Sequence, residues 1–361
     1  MQPTTVLPEP LAQGRAPLAI DGASGRRLVL ALQGGGRATA ENLRRVAAEP
    51  RLLEQLRRIV VVDQAGEPLP AEAAAALGRS AAWLLRVVEQ RDLGVAGGLA
   101  RALQEALSER GAQEVLLVRE GALLDPAALL GPLAAVRADP RFDVLSWHAG
   151  GDLAAGAAAL LPLDAVRAVG LAHAGLGTGA LADLVLRAHA AGFRARPAEG
   201  GVDAAGAAAP TVRDRLLLTM LHEPTAARGA VLHAGLAAEV RALRALRYGE
   251  VAARHRDVAA VLVAPEAEAA PAVRAGAEAS PSGRGAVRRG LLLHVDLWRD
   301  WAGLRRRVRA AAFELAAPEG WAARFAETEP ATSTGEPRSS ASGRSTAGAR
   351  RFDGPSVRRS A

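Results

Sequence analysis

The stretch Asp92-Leu93-Gly94-Val95-Ala96-Gly97-Gly98 lies between a strand-like run and a helix-like run. Glycine at Gly94, Gly97 and Gly98 lets backbone approach a ligand, and the start of the following helix favours a phosphate or a base edge. An ordinary tight strand-to-helix turn uses the same residues, so both readings stand. Gly175-Leu176-Gly177-Thr178-Gly179-Ala180 half-matches the dinucleotide fingerprint. That fingerprint needs a strand directly before it, and here a helix-like run, Asp164 to Val169, precedes it, so we discount it. The seven histidines form no i, i+4 pair and sit beside no compact carboxylate cluster, so no metal site is assigned. The absence of cysteine excludes disulfides and thiolate chemistry. No serine stands in a nucleophile elbow.

These residues must be positioned by the elements around them. Leu28 to Leu32, Ile59 to Val62, Leu84 to Val88, Val115 to Val118 and Phe142 to Trp147 read as strands. Between them, Thr39 to Ala48 (with Thr39 as N-cap), Leu99 to Leu107 and Ala127 to Val136 (with Pro126 at its start) read as helices. Such alternation predicts a parallel sheet with right-handed crossovers. Strands continuous in Val, Ile and Leu are expected where both faces are covered. Ligands in such sheets sit beyond the C-terminal strand ends. That gathers Gln33–Arg37, Asp63–Gly66, Glu89–Gly98 and Arg119–Asp125 around one crevice. After Gly200 the strand pattern stops, and Thr211 to His222, Gly229 to Tyr248 and Glu250 to Val263 read as arginine-bearing helices.

The chain has 361 residues, half of them hydrophobic, enough for one large core or two modest domains. No uncharged run of about 18 apolar residues marks a membrane span, and Met1 to Gly25 lacks the pattern of a secretory signal. The net charge is +7, with many arginines and no lysine. Aromatics at 3% argue against a stacking platform for nucleic acid, and no nucleic-acid partner is expected. The organisation predicted is a loose arm over 1–26, an α/β domain over 27–205, a helical extension packed on it over 206–265, a linker over 266–290, a helical segment over 291–327 and a disordered basic tail over 328–361.

Several segments taken together resemble the actinobacterial galactofuranosyltransferases of glycosyltransferase family 2, which build cell-wall galactan. They are Ile59-Val60-Val61-Val62-Asp63-Gln64, Glu89 to Gly98 with the helix after it, Val115-Leu116-Leu117-Val118, Leu124-Asp125-Pro126, Leu160-Leu161-Pro162, Leu186-Arg187-Ala188, Ala191-Gly192-Phe193 and Val212-Arg213-Asp214-Arg215-Leu216. The resemblance covers about two-thirds of the chain. It implies a GT-A, Rossmann-like α/β fold with a C-terminal helical region, a nucleotide diphosphate or nucleotide-sugar in the crevice, and a polyprenyl-linked glycan acceptor. It places Arg37, Asp63 and Gln64 at the nucleotide end, with Gly94, Gly97 and Gly98 as the glycine-rich turn and Arg119 and Glu120 beside the diphosphate.

The chain departs from the family at its acids. The family has three aspartates after the fourth strand, the outer two holding a divalent metal; here stand Arg119, Glu120 and Gly121. The family's Trp-Asp-Asp motif, which carries the base, falls on Gly179, Ala180 and Leu181, with Asp183 downstream. Its metal-ligand histidine falls near Ala204–Ala205. Leu181 and Asp183 are thus vestigial positions, no catalytic residue is assigned, and no cofactor is expected. Glu120 alone offers too few oxygens for a hard cation, whereas Arg119 could clamp a phosphate directly. The leading reading is a pseudoenzyme of envelope glycan synthesis acting as partner to an active glycosyltransferase. Two others stand beside it: a metal-independent transferase using Arg119 with Asp183 or Asp125 as base, and a basic membrane-surface adaptor. The expected location is the cytoplasm, including peripheral contact with the inner face of the plasma membrane.

Overall fold

The computed structural model describes residues 27–64, 74–138, 144–148, 153–222, 228–245, 247–263 and 283–326. The arm, the tail and the linker up to 282 lie outside the described residues.

Nine strands are described: β1 (Leu28–Gln33), β2 (Leu56–Asp63), β3 (Leu85–Glu89), β4 (Glu114–Val118), β5 (Leu123–Leu124), β6 (Val144–His148), β7 (Gly156–Pro162), β8 (Ala195–Pro197) and β9 (Val202–Asp203). Seven of them form one sheet in the order β3-β2-β1-β4-β7-β6-β8. β1 pairs in parallel with both β2 and β4, and β2 in parallel with β3. The parallel expectation is corrected at β7, which runs antiparallel to β4 and β6. β7 follows β6 through a short connection, and such a return suits an antiparallel neighbour. β5 and β9 form a second, two-stranded antiparallel pair, so strand structure does extend past Gly200.

Alternation along the strands builds two buried layers. Leu28, Leu30 and Leu32 of β1 face one core with Ile59, Val61, Leu116 and Val118. Val29 and Ala31 face the other with Val60, Val62, Val115 and Leu117. Helices α1 (Arg37–Ala47), α2 (Pro50–Leu53) and α3 (Gly78–Ala81) contribute buried residues to the first layer. α4 (Gly94–Ser108) packs on the second, and α5 (Pro126–Ala138) returns to the first. α1 begins at Arg37 with Gly36 as N-cap, and the Thr39 hydroxyl donates to the Gly34 carbonyl at 2.6 Å instead of capping the helix. The glycine run allows this early start, since Gly34 has φ +93°.

The second layer continues through α6 (Leu163–Val169), α7 (Ala180–Ala190) and α8 (Val212–His222), then, past α9 (Arg228–Arg244), through α10 (Tyr248–Val263), α11 (Gly283–Ala316) and α12 (Pro318–Ala326); Ala242 of α9 instead forms a small separate cluster with Val251 of α10. Tyr248 opens α10 rather than closing the helix before it, and α11 begins inside the segment expected to be linker. Leu297, Trp301, Leu304, Val308, Trp321 and Phe325 join the same buried cluster as the sheet. The Trp321 indole donates to the Ala172 carbonyl at 2.7 Å and its ring stacks on Phe325. The described residues all fall within one compact unit. Among the described residues no helix is long and apolar enough to cross a membrane.

Candidate functional site

The parallel register brings the C-terminal ends of β1, β2, β3 and β4 to one edge of the sheet. Asp63 and Arg119 therefore open from the same edge, as the strand reading requires.

Three glutamines and an aspartate fill the part of this edge between β1, β2 and β3. Gln64 Oε1 accepts from the Leu93 amide at 3.2 Å and from Gln90 Nε2 at 2.9 Å, while its Nε2 donates to the Gly94 carbonyl at 3.0 Å. Gln33 Nε2 donates to the Val95 carbonyl at 3.1 Å. These partners fix the orientation of each carboxamide. They leave Gln33 Oε1, Gln90 Oε1 and Asp63 Oδ1 as buried acceptors without a donor. An unsatisfied buried acceptor costs about 1–3 kcal/mol, so this end of the crevice is suited to a group that supplies N–H or O–H. The glycines serve this packing. Gly94 has φ +70° and its amide bonds Asp92 at 2.8 Å. A Cβ at Gly98 would lie 2.8 Å from the amide nitrogens of Gln33 and Gln64, and one at Gly97 would lie 2.2 Å from Leu93 Cβ. Asp63, Gln64, Gly94, Gly97 and Gly98 are thus brought together. Gln33 and Gln90 fall within the runs that the strand order gathers at the crevice, but neither was given a role of its own from the sequence.

The β4 end is built differently. Arg119 is 3% exposed, and its guanidinium donates to the Gly156 and Ala208 carbonyls. Burial pulls its pKa down, and the nearby Asp214 carboxylate partly offsets this. An arginine so turned ties Gly156 at the start of β7 to Ala208 of the 204–208 segment, one nitrogen on each, instead of presenting them outward. Gly121 (φ +83°) is pressed against that same segment, where a Cβ would meet the Gly206 carbonyl oxygen at 2.1 Å. Ala204–Ala205, where the resemblance puts a histidine ligand, therefore does lie beside the β4 end. The acids needed for a metal are missing there: Glu120 is exposed and lies over Gly34, Arg119 is a cation and Gly121 has no side chain. These residues do not fit a divalent cation. Among the described residues no group of three or more His, Cys, Asp or Glu could hold a metal. Arg37 is exposed at the first position of α1. Asp125 is exposed and caps α5, accepting from the Ala128 amide at 3.2 Å.

The positions onto which the resemblance puts the base lie inside the protein. Leu181 and Asp183 are each 1% exposed. Asp183 pairs with Arg187 at 2.8 Å and with His222 at 2.9 Å, one on each oxygen. Burial by itself would raise its pKa, but the Arg187 charge and the His222 hydrogen bond outweigh it and hold the carboxyl well below the ordinary range. Arg187 also donates to the Val169 and Leu171 carbonyls. A carboxylate so occupied cannot take a proton from an acceptor hydroxyl in the crevice.

The glycine motif before α7 is an anchor. Asp214 accepts from the Gly177 amide at 2.9 Å and the Thr178 hydroxyl at 2.7 Å. Gly177 and Gly179 admit this approach, since a Cβ at either would come within 3.3 Å of Asp214. Thr211 and Asp214 close a capping box on α8: the Asp214 amide bonds Thr211 Oγ1 at 3.0 Å, and the Thr211 amide bonds the Asp214 carboxylate at 3.4 Å. Thr211→Ala should lower stability by about 1 kcal/mol, as loss of an N-cap does. Thermal or urea unfolding checks this, and an unchanged midpoint would mean that the box contributes nothing.

No protein-family model matches the sequence, and no curated protein matches it significantly. Solved structures do resemble it. The mannosyltransferase of Pyrobaculum calidifontis, solved with GDP-Man and Mn2+, is 18% identical, with 84% of this chain and 90% of that one covered and a TM-score of 0.42. S. aureus TarS is 13% identical, with 79% of this chain but only 55% of TarS covered and a TM-score of 0.44. The glucosyl-3-phosphoglycerate synthase of Mycobacterium tuberculosis, solved with Mn2+, UDP and phosphoglyceric acid, is 14% identical over 50% of this chain and 70% of that one, with a TM-score of 0.35. At these identities the likeness is one of fold alone.

Proposed function

We propose that the chain is a glycosyltransferase-like protein of the family 2, galactofuranosyltransferase type, acting as a binding partner in envelope glycan synthesis without metal-dependent turnover. The family type rests on the segments from Ile59 to Leu216 that resemble it. The loss of turnover rests on one observation: Arg119 and Gly121 stand at the β4 end and are locked in place, Arg119 by the Gly156 carbonyl of β7 and the Ala208 carbonyl, and Gly121 by Gly206. A metal in such an enzyme neutralises the leaving diphosphate, and these residues offer one carboxylate to hold it. What the crevice retains is the acceptor-rich cluster of Gln33, Asp63 and Gln90, which can bind but cannot transfer a group. The metal-independent transferase is disfavoured, because Asp183 is buried with both oxygens engaged and Asp125 is used as a helix cap.

Calorimetric titration with uridine and guanosine diphosphates, with and without manganese, tests this reading. We expect weak binding that manganese leaves unchanged, and no release of nucleotide diphosphate from a nucleotide-sugar in a coupled assay. Manganese-dependent binding, or turnover on the order of 1 s⁻¹ as in an ordinary enzyme, would overturn it.

A further inference from the structure

The outer side of α11 does not look like a solvated helix face. Its inner side, carrying His294, Leu297, Trp301, Leu304 and Val308, is buried against the core. On the other side Leu292 is 53% exposed, Val295 45% and Trp298 47%. These are three of the six large hydrophobic side chains exposed among the described residues. At 3.6 residues per turn they share one stripe with exposed Ala302, Arg299 and Arg306. Asp296 and Asp300 fall to the side of it. Arg305 and Arg309 are drawn inward, donating to the Met220 and Leu221 carbonyls. Over its 34 residues the helix carries eight arginines against three acids.

We propose that this stripe is a docking face for an anionic lipid surface, with Leu292, Val295 and Trp298 entering the headgroup boundary and Arg299 and Arg306 pairing with lipid phosphates. An apolar stripe with cations on the same side is the pattern of a helix lying in the interface plane, and tryptophan suits that depth. A second copy of the chain fits less well, because two such faces would bring arginine against arginine. Nucleic acid fits less well because leucine and valine neither stack on bases nor pair with phosphates. The proposal stands whether or not the crevice binds a nucleotide.

The test is co-sedimentation of the full chain with vesicles of phosphatidylcholine alone and with added phosphatidylglycerol. We expect binding only to the anionic vesicles, weakened by salt. Each arginine near an anionic surface is worth about a fivefold change in partitioning, so Arg299→Gln with Arg306→Gln should weaken binding about 25-fold. Leu292→Ser with Trp298→Ser should weaken it at least tenfold while leaving the melting temperature unchanged. Equal binding to both vesicles, retention undiminished by the serine pair, or tighter binding to an RNA homopolymer than to anionic vesicles would each overturn it. Should the serine pair fail to fold, brominated lipid decides: it should quench wild-type tryptophan emission more than that of Trp298→Phe, and equal quenching would sink the proposal.

Discussion

Asp183→Ala will lower the unfolding free energy by about 3–5 kcal/mol, the range for breaking a buried ion pair from one side. The cost comes chiefly from what is left behind. Arg187 keeps its bonds to the Val169 and Leu171 carbonyls but loses its counter-charge, and His222 loses its acceptor. Asp183→Asn keeps the shape and should cost less, because one carboxamide oxygen can still accept. The pH dependence follows from the direction of the shift. The folded carboxyl is held below its ordinary range, so its contribution is fully present above that range. It is lost only as the pH falls below the ordinary value toward the depressed one. The alanine variant should therefore differ most from wild type at neutral pH and converge with it in strong acid. Urea unfolding at several pH values measures this. A loss under about 1 kcal/mol, or one that grows toward acid, would show that the pair does not hold the α7–α8 junction.

Gly121→Asp, which would put an acid where the proposed family has a metal ligand, will destabilise the protein instead of creating a metal site. Two costs add. The residue sits at φ +83°, which a side chain occupies at roughly 1–2 kcal/mol. Its Cβ would also stand 2.1 Å from the Gly206 carbonyl oxygen, backbone against backbone, so the 204–208 segment must shift and release the Arg119 bond to Ala208. We expect a loss of at least about 3 kcal/mol, above the usual range for a point substitution in a surface loop. Manganese titration of the folded fraction should show no new site. A variant as stable as wild type that binds manganese would refute the locked arrangement and the pseudoenzyme reading with it.

The readable parts of the sequence were those set by local rules. β1, β2 and β4 stand out by runs of apolar residues, mostly Val, Leu and Ile, because those runs are buried on both faces, and the edge that gathers Asp63 and Arg119 follows from their order. β7 was not readable as a strand. Its Gly156-Ala157-Ala158-Ala159 start has no β-branched or aromatic residue, and what makes it a strand is pairing on both sides with β4 and β6. β5 and β9, at two residues each, are shorter than any periodicity. At the site, the glycines of 94–98 and Gln64 were visible, but the roles of Gln33 and Gln90 were not, because they depend on the Val95 carbonyl and the Gln64 side chain, which lie 62 and 26 residues away. Arg119 shows the same limit. Its type was plain, yet its partners are backbone groups 37 and 89 residues away, which leave no mark in side-chain identity.

The placement of Trp321 and Phe325 bears on how the chain is made. The last strand described is complete at Asp203, but the cluster covering one face of the sheet includes residues as late as Phe325. At roughly 5–20 residues per second, a ribosome needs on the order of ten seconds to cross that interval. During it the finished sheet would show the patch that Trp301, Leu304, Val308 and Trp321 later cover. A nascent chain stalled before α11 should be the species that a holdase recognises and an early stop codon turns into aggregate.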